Sequence, residues 1–139
     1  MATACETVHV AKKRPREHWK NEPEEHDFPA AESYLTLLFP EAAVASLVAA
    51  LRAAEGTTQK AKDLLRASRL DLLPADNPHV AADLAKVKSG ERLSPVLLVR
   101  GRGADGIPLI VADGYHRICA SYLLDENADI PCRIVDPPS

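Results

Sequence analysis

The sequence predicts a small α/β domain, built from a mixed sheet with packed helices, that carries an N-terminal helical extension. Three observations lead to this prediction. Residues 28–66 are rich in alanine and leucine, and their apolar residues recur at helical spacing. Residues 95–100 and 107–111 are apolar, β-rich runs joined by a glycine-containing segment. The second run leads through Asp-Gly into a helical pattern at residues 115–124.

Length and composition limit the classes of protein to consider. The 139 residues, of which 46% are hydrophobic, suffice for one domain with a buried core. The net charge of −3 gives no overall attraction to nucleic acid, so DNA binding would need a local basic patch. Three widely spaced cysteines favour neither a disulfide framework nor a zinc ribbon. The absence of a signal-peptide core or membrane-length apolar run predicts a cytoplasmic protein without membrane association.

Residues 1–27 are predicted to form a disordered arm. A basic cluster between Lys12 and Lys20 precedes an acidic cluster between Glu22 and Asp27. The basic cluster could contact nucleic acid or an acidic partner. Opposite charge blocks near the end of a chain are, however, typical of a solvated tail.

Residues 28–66 are predicted to form the helical extension, with three short helices packed on the core. Pro40 marks the start of one helix and Gly56 its end, and Thr57 or Thr58 is expected to cap the next helix. The apolar stripe of this segment is interpreted as packing surface, and it consists of Val44, Leu47, Val48 and Leu51.

Residues 67–139 are predicted to form the α/β domain. Near-alternating polarity favours a strand at residues 68–73, and Asn77 is expected to cap a helix at residues 78–88 that ends before Gly90. The order continues with the strands at 95–100 and 107–111, the helix at 115–124 and a last strand at 130–135.

The junction between the third of these strands and its helix is the candidate site. Free N–H groups and the positive end of the helix dipole converge there, and His116 and Arg117 lie in the first helical turn. Such a group favours an anion, and a nucleotide phosphate fits the Arg fork and the His donor. The alternative is a surface turn beside a solvated His-Arg pair.

The order of several short motifs resembles the ParB/sulfiredoxin-like superfamily over residues 70–135. These motifs are Asn77-Pro78, Gly90, Ser94-Pro95-Val96, Leu109-Ile110, Asp113-Gly-Tyr-His-Arg117 and Ile130-Pro131. The resemblance implies that the helix start holds nucleotide phosphates through Asp113, Gly114, Tyr115, His116 and Arg117. It also implies ATP or ADP as the ligand, with Mg²⁺ bridging the phosphates.

Differences from individual branches of that superfamily indicate which branch the chain resembles. Tyr115 occupies the position of the sulfiredoxin nucleophilic cysteine, which excludes sulfinic-acid repair. The ParB phosphate motif and its helix-turn-helix domain are also absent. The Asp-Gly-x-His-Arg form is similar to the free-serine kinase branch, which implies His116 and Asp76 as catalytic residues. Asp76 is equally well explained as a turn residue, and Asp113 either orients His116, holds Mg²⁺ or belongs to the turn.

Three functions follow from this interpretation. The first is nucleotide-dependent phosphoryl transfer or nucleotide hydrolysis. The second is a non-enzymatic regulatory module, antitoxin-like or bound to a DNA-bound factor, that uses the helical extension to contact a protein. The third is a ParB-like DNA-binding or nuclease protein, which requires a positive track through Arg100, Arg102 and Arg117. No metal site is predicted, because the histidines and cysteines lack ligand spacing.

Overall fold

The computed structural model describes residues 18–138, which form five α-helices and four β-strands. In chain order these elements are α1 (Asp27–Leu35), α2 (Glu41–Ala53), β1 (Thr57–Lys60), α3 (Ala61–Ser68), α4 (Pro78–Lys88), β2 (Val96–Val99), β3 (Ile110–Asp113), α5 (Tyr115–Leu124) and β4 (Asp129–Val135). A short 3₁₀ turn at Gly103–Asp105 connects β2 and β3.

The four strands form one mixed sheet in the order β1-β4-β2-β3. β4 is antiparallel to β1 and parallel to β2, whereas β2 and β3 are antiparallel. Cys132 of β4 lies between Thr57 of β1 and Val96 of β2 in the register of the sheet. The prediction of a small α/β domain with a mixed sheet is confirmed.

Helices cover both faces of the sheet. Successive strand residues point to opposite faces, and Val96 and Leu98 of β2 therefore pack with α3, α4 and α5 while Leu97 and Val99 pack with α1 and α2. All four of these β2 side chains have no exposed surface. A strand that is buried on both faces reads as a continuous apolar run, which explains the lack of alternation in this segment.

The first two helices supply the second half of the core. Their buried side chains are Phe28, Ala31, Leu35, Val44, Leu47 and Leu51. Arg133 of β4 fixes the end of α2, because its Nη1 donates to the carbonyl oxygens of Leu51 and Arg52 at 3.1 and 2.8 Å. Its Nη2 also contacts the Glu22 carboxylate. Residues 28–53 therefore pack directly on the sheet.

Two local predictions are wrong. Thr57–Lys60 is an edge strand and not the start of a helix, and all four of its side chains are exposed, so no apolar pattern marks it. Residues 69–73 form a loop and not a strand. Arg69 adopts a left-handed conformation with φ of 60°, which ends α3, and Leu70 and Leu72 then remain exposed. Residues 57–66, which were grouped with the helical extension, thus contribute β1 and α3 to the sheet domain.

Residues 18–27 belong to the folded structure, so the prediction of a disordered arm is wrong for them. Trp19 is buried in the main core. The Lys20 N–H donates to the Leu93 carbonyl and the Leu93 N–H donates to the His18 carbonyl, both at 2.7 Å. Residues 1–17, including most of the basic cluster, lie outside the described residues. Within residues 18–138, none of the helices combines the length and the hydrophobicity that a transmembrane span requires.

Candidate functional site

The turn between β3 and α5 is made by Gly114. Its φ of 114° is a conformation that side chains disfavour, and a Cβ atom there would lie 2.8 Å from Cβ of Val96. The Ile118 N–H donates to the Gly114 carbonyl at 3.0 Å, and no side chain caps the start of α5. The predicted strand, tight turn and helix are confirmed, and β3 therefore directs the chain straight into the first turn of α5.

Arg117 is a partly buried cation at this helix start. Its Nη2 donates to Asp113 Oδ2 at 2.9 Å and lies 3.4 Å from the Pro95 carbonyl. The side chains of Arg117 and Asp113 are only 16% and 18% exposed. The Arg117 Nε is buried and has no hydrogen-bond partner among residues 18–138. The alternative of a solvated His-Arg pair thus does not describe Arg117.

Asp113 shares its surroundings with a second carboxylate that the sequence analysis missed. Burial is the main cause that raises the pKa of Asp113, and Arg117 opposes it. The neighbouring Asp27 carboxyl raises the pKa of Asp113 further. Asp27 is 2% exposed at the start of α1. Only the packing of α1 on the sheet brings these two carboxylates together, and no short-range spacing could have indicated it.

His116 lies against His79, with the ring centroids 4.7 Å apart. This pair forms because α4 and α5 begin side by side, and the predicted cap is present: Asn77 Oδ1 accepts from the N–H groups of His79 and Val80. Burial, followed by the neighbouring His79 and Arg117 charges, lowers the pKa of His116, while Asp83 opposes this. The neutral imidazole is therefore favoured near neutral pH.

The acidic residue close to these groups is Asp83 of α4, and not Asp76, which precedes this helix. Burial raises the pKa of Asp83, and Arg117 opposes it most strongly, followed by Lys86 and His116. Asp76 is exposed in the loop before α4 and contributes to none of the pKa shifts of His116, Asp83 or Asp113. Asp83 is one helical turn beyond His79 in α4, a signal that the sequence analysis did not use.

The Tyr115 side chain stabilises a loop beside the site. Its hydroxyl donates to the Asp71 carbonyl at 2.6 Å, which fastens the loop between α3 and α4 to α5. Cys119 is fully buried beneath the same loop, and burial raises the pKa of its thiol. Cys119 is therefore part of the buried core.

We expect Tyr115→Phe to lower the free energy of unfolding by about 1 kcal/mol, because the substitution removes one hydrogen bond and leaves the ring in place. Urea denaturation measures this loss. Tyr34→Phe is the matched control, since Tyr34 is 43% exposed on α1, and we expect a change below about 0.5 kcal/mol for it. Equal effects of the two substitutions would contradict a supporting role for the Tyr115 hydroxyl.

A polar cavity of about 130 Å³ lies beside Arg117. Its lining combines basic and acidic side chains from the N-terminal segment, α4 and the segment before β2, among them Lys20, Glu24, His26, Asp83, Lys86 and Arg92. Charged groups of both signs therefore surround the space into which Arg117 opens, and we name it the Arg117 cavity.

The other two arginines of the predicted positive track lie elsewhere. Arg100 and Arg102 follow the end of β2, whereas Arg117 lies near the start of this strand, at Pro95. Arg100 pairs with Asp136 at 2.8 Å, and Arg102 donates to the Pro138 carbonyl. These three arginines thus do not form the continuous track that the DNA-binding hypothesis requires.

The site is thus a convergence of two helix starts, with Arg117 and Asp113 paired inside it, Asp27 behind Asp113 and the two histidines in contact. The resemblance to the ParB/sulfiredoxin-like superfamily stays a prediction. Comparison of the chain with protein-family models, curated proteins and solved structures finds no match.

Proposed function

We propose that the protein binds the phosphate groups of a nucleotide at the start of α5. The observation that carries the proposal is the state of Arg117. Its guanidinium is held at the first turn of the helix by Asp113, while its buried Nε has no hydrogen-bond partner among the described residues. A planar guanidinium fixed in this way is suited to an oxyanion.

Further donors surround Arg117. The first N–H groups of α5 have no side-chain cap and carry the positive end of the helix dipole. His116 and His79, whose rings are in contact, add ring N–H donors. This combination of one fixed cation and several neutral donors favours a phosphate over a simple carboxylate, because a phosphate offers more acceptor oxygens.

The same groups support phosphoryl transfer or nucleotide hydrolysis as the reaction. In this proposal Arg117 and the helix N–H groups stabilise the charge of the transferred phosphoryl group. His116 donates a hydrogen bond from its ring N–H, and Asp83 takes the acid-base role that was assigned to Asp76. The superfamily resemblance adds ATP or ADP as the nucleotide. It also adds Mg²⁺, an ion that the carboxylate oxygens of Asp113 could hold.

A thermal-shift panel with ATP, ADP, CTP, GTP and inorganic phosphate, each with and without Mg²⁺, tests the proposal. We expect at least one nucleotide to raise the melting temperature, because a ligand that binds only the native state stabilises it. The same ligand should also stabilise Arg100→Gln, a control that removes an exposed arginine beyond the other end of β2. The rise in melting temperature that this ligand causes should be largely lost in the Arg117→Met variant. A panel without any shift would overturn the proposal.

One observation favours the second candidate function, a protein-interaction module. Tyr34, Leu37 and Leu38 at the end of α1 are 43%, 78% and 49% exposed. Such a group of exposed apolar side chains is typical of a contact surface, and it lies on the helical extension. An interaction module of this kind does not require nucleotide, so the thermal-shift panel separates the two functions.

A further inference from the structure

Glu24, His26 and Asp27 form a side-chain cluster before and at the start of α1. One potential ligand atom from each residue lies within 4.8 Å of the others. We propose that these three residues bind a divalent transition-metal ion of the zinc type at the edge of the Arg117 cavity. The sequence analysis missed the cluster because it compared only histidines and cysteines.

One carboxylate oxygen from Glu24 and one from Asp27 lie close to the same imidazole nitrogen of His26. Nε2 of His26 lies 3.2 Å from Glu24 Oε1 and 3.5 Å from Asp27 Oδ1. One imidazole and two carboxylates form a donor set that zinc accepts, and three protein ligands leave a coordination position open. Mg²⁺ prefers oxygen ligands alone, so the imidazole selects against it.

The burial of Asp27 is a separate observation that favours a cation. Its side chain is 2% exposed, and it lies against the carboxyl of Asp113. Arg117 is hydrogen-bonded to Asp113, while the Asp27 carboxylate accepts from the Glu24 backbone N–H at 2.9 Å. Two adjacent carboxylates away from water are costly unless positive charge compensates them. A divalent ion on Asp27 supplies this charge.

The location gives the ion access to a ligand. Glu24 and His26 line the same 130 Å³ cavity as Arg117. The open coordination position of the ion would therefore face the space beside the arginine. Lys20 competes with the ion, because its ammonium group pairs with the other carboxylate oxygen of Glu24.

The experiment is a calorimetric titration of metal-free, full-length protein with Zn²⁺ in phosphate-free buffer without nucleotide. We expect one site. His26→Gln should weaken binding by more than about tenfold, since removal of a direct ligand costs at least as much as removal of an outer partner. Lys20→Met should strengthen binding, because it removes the competing ammonium group. Circular dichroism should show that both variants fold, because the His26 side chain is 77% exposed and that of Lys20 is 40% exposed.

Glu25→Gln is the matched control, because the Glu25 carboxylate pairs with Arg52 outside the cluster and the substitution should leave zinc affinity unchanged. The proposal is overturned if the wild-type protein binds no zinc, or if His26→Gln binds it as tightly as the wild type. Equal affinity for Mg²⁺ would overturn the zinc-type assignment. None of these outcomes depends on nucleotide, so failure here is distinct from failure of the proposed nucleotide function.

Discussion

Gly114→Ala is expected to destabilise the protein by about 2–6 kcal/mol. Two costs add up in this estimate. A side chain at φ of 114° strains the backbone by about 1–3 kcal/mol. The new methyl group also meets the Val96 side chain, which is fully buried in the central strand β2, and overpacking of this kind costs about 1–3 kcal/mol. Urea denaturation of the two proteins gives the difference in the free energy of unfolding.

Gly90→Ala separates the two costs. Gly90 also has a positive φ, of 88°, but nothing lies within 4 Å of the position that a Cβ atom would take. This control should therefore show only the backbone cost. Val96→Ala should be less costly in the Gly114→Ala background than in the wild type, because the shortened side chain relieves the clash. Equal losses for Gly114→Ala and Gly90→Ala would show that β2 yields to the methyl group.

Arg117→Met is expected to lower the free energy of unfolding by about 2–3 kcal/mol near neutral pH and by much less near pH 4. The reason is that the substitution leaves the Asp113 carboxylate without its cationic partner. Burial already raises the pKa of Asp113 despite Arg117, so ionisation of Asp113 costs native stability as the pH rises through its folded-state pKa. Without Arg117 that pKa rises further, and the cost at neutral pH increases. As the pH falls below this raised pKa, the carboxyl becomes protonated in the folded state, and the loss of Arg117 matters less.

Denaturation of both proteins across this pH range measures the effect. Asp113→Asn in the Arg117→Met background is the control, because an amide removes the titrating group while it keeps the shape. The double variant should lose the additional pH dependence. A stability loss of the same size at all pH values would show instead that Arg117 acts through packing of its aliphatic stem.

Local features of the fold were predictable from the sequence. The Asp-Gly turn, the Asn77 cap and the helix of residues 115–124 depend on residues within one or two turns of each other. The apolar, β-rich run at residues 95–100 also predicted the strand β2. Predictions of this kind succeed because neighbours along the chain decide them.

The remaining features depend on contacts between distant segments. β1 has only exposed side chains, and its pairing with β4 defines it. Asp27 and Glu24 belong to a charged segment that is typical of solvated tails, yet Trp19 and the bond between Lys20 and Leu93 hold this segment on the domain. Asp83 reaches the site only because α4 and α5 pack together. The spacing of residues along the sequence does not contain this information.

The position of β4 in the sheet has a consequence for folding. β4 comes last among the strands in sequence, but it lies inside the sheet between β1 and β2. Until it is synthesised, β1 lacks the strand with which it pairs, and the Arg133 anchor for the end of α2 is missing. In a nascent chain, α2 therefore lacks its contacts with β4 until the last strand is made. Such a topology, rich in non-local contacts, favours late and cooperative folding and leaves the unfinished chain exposed to aggregation and to chaperone binding.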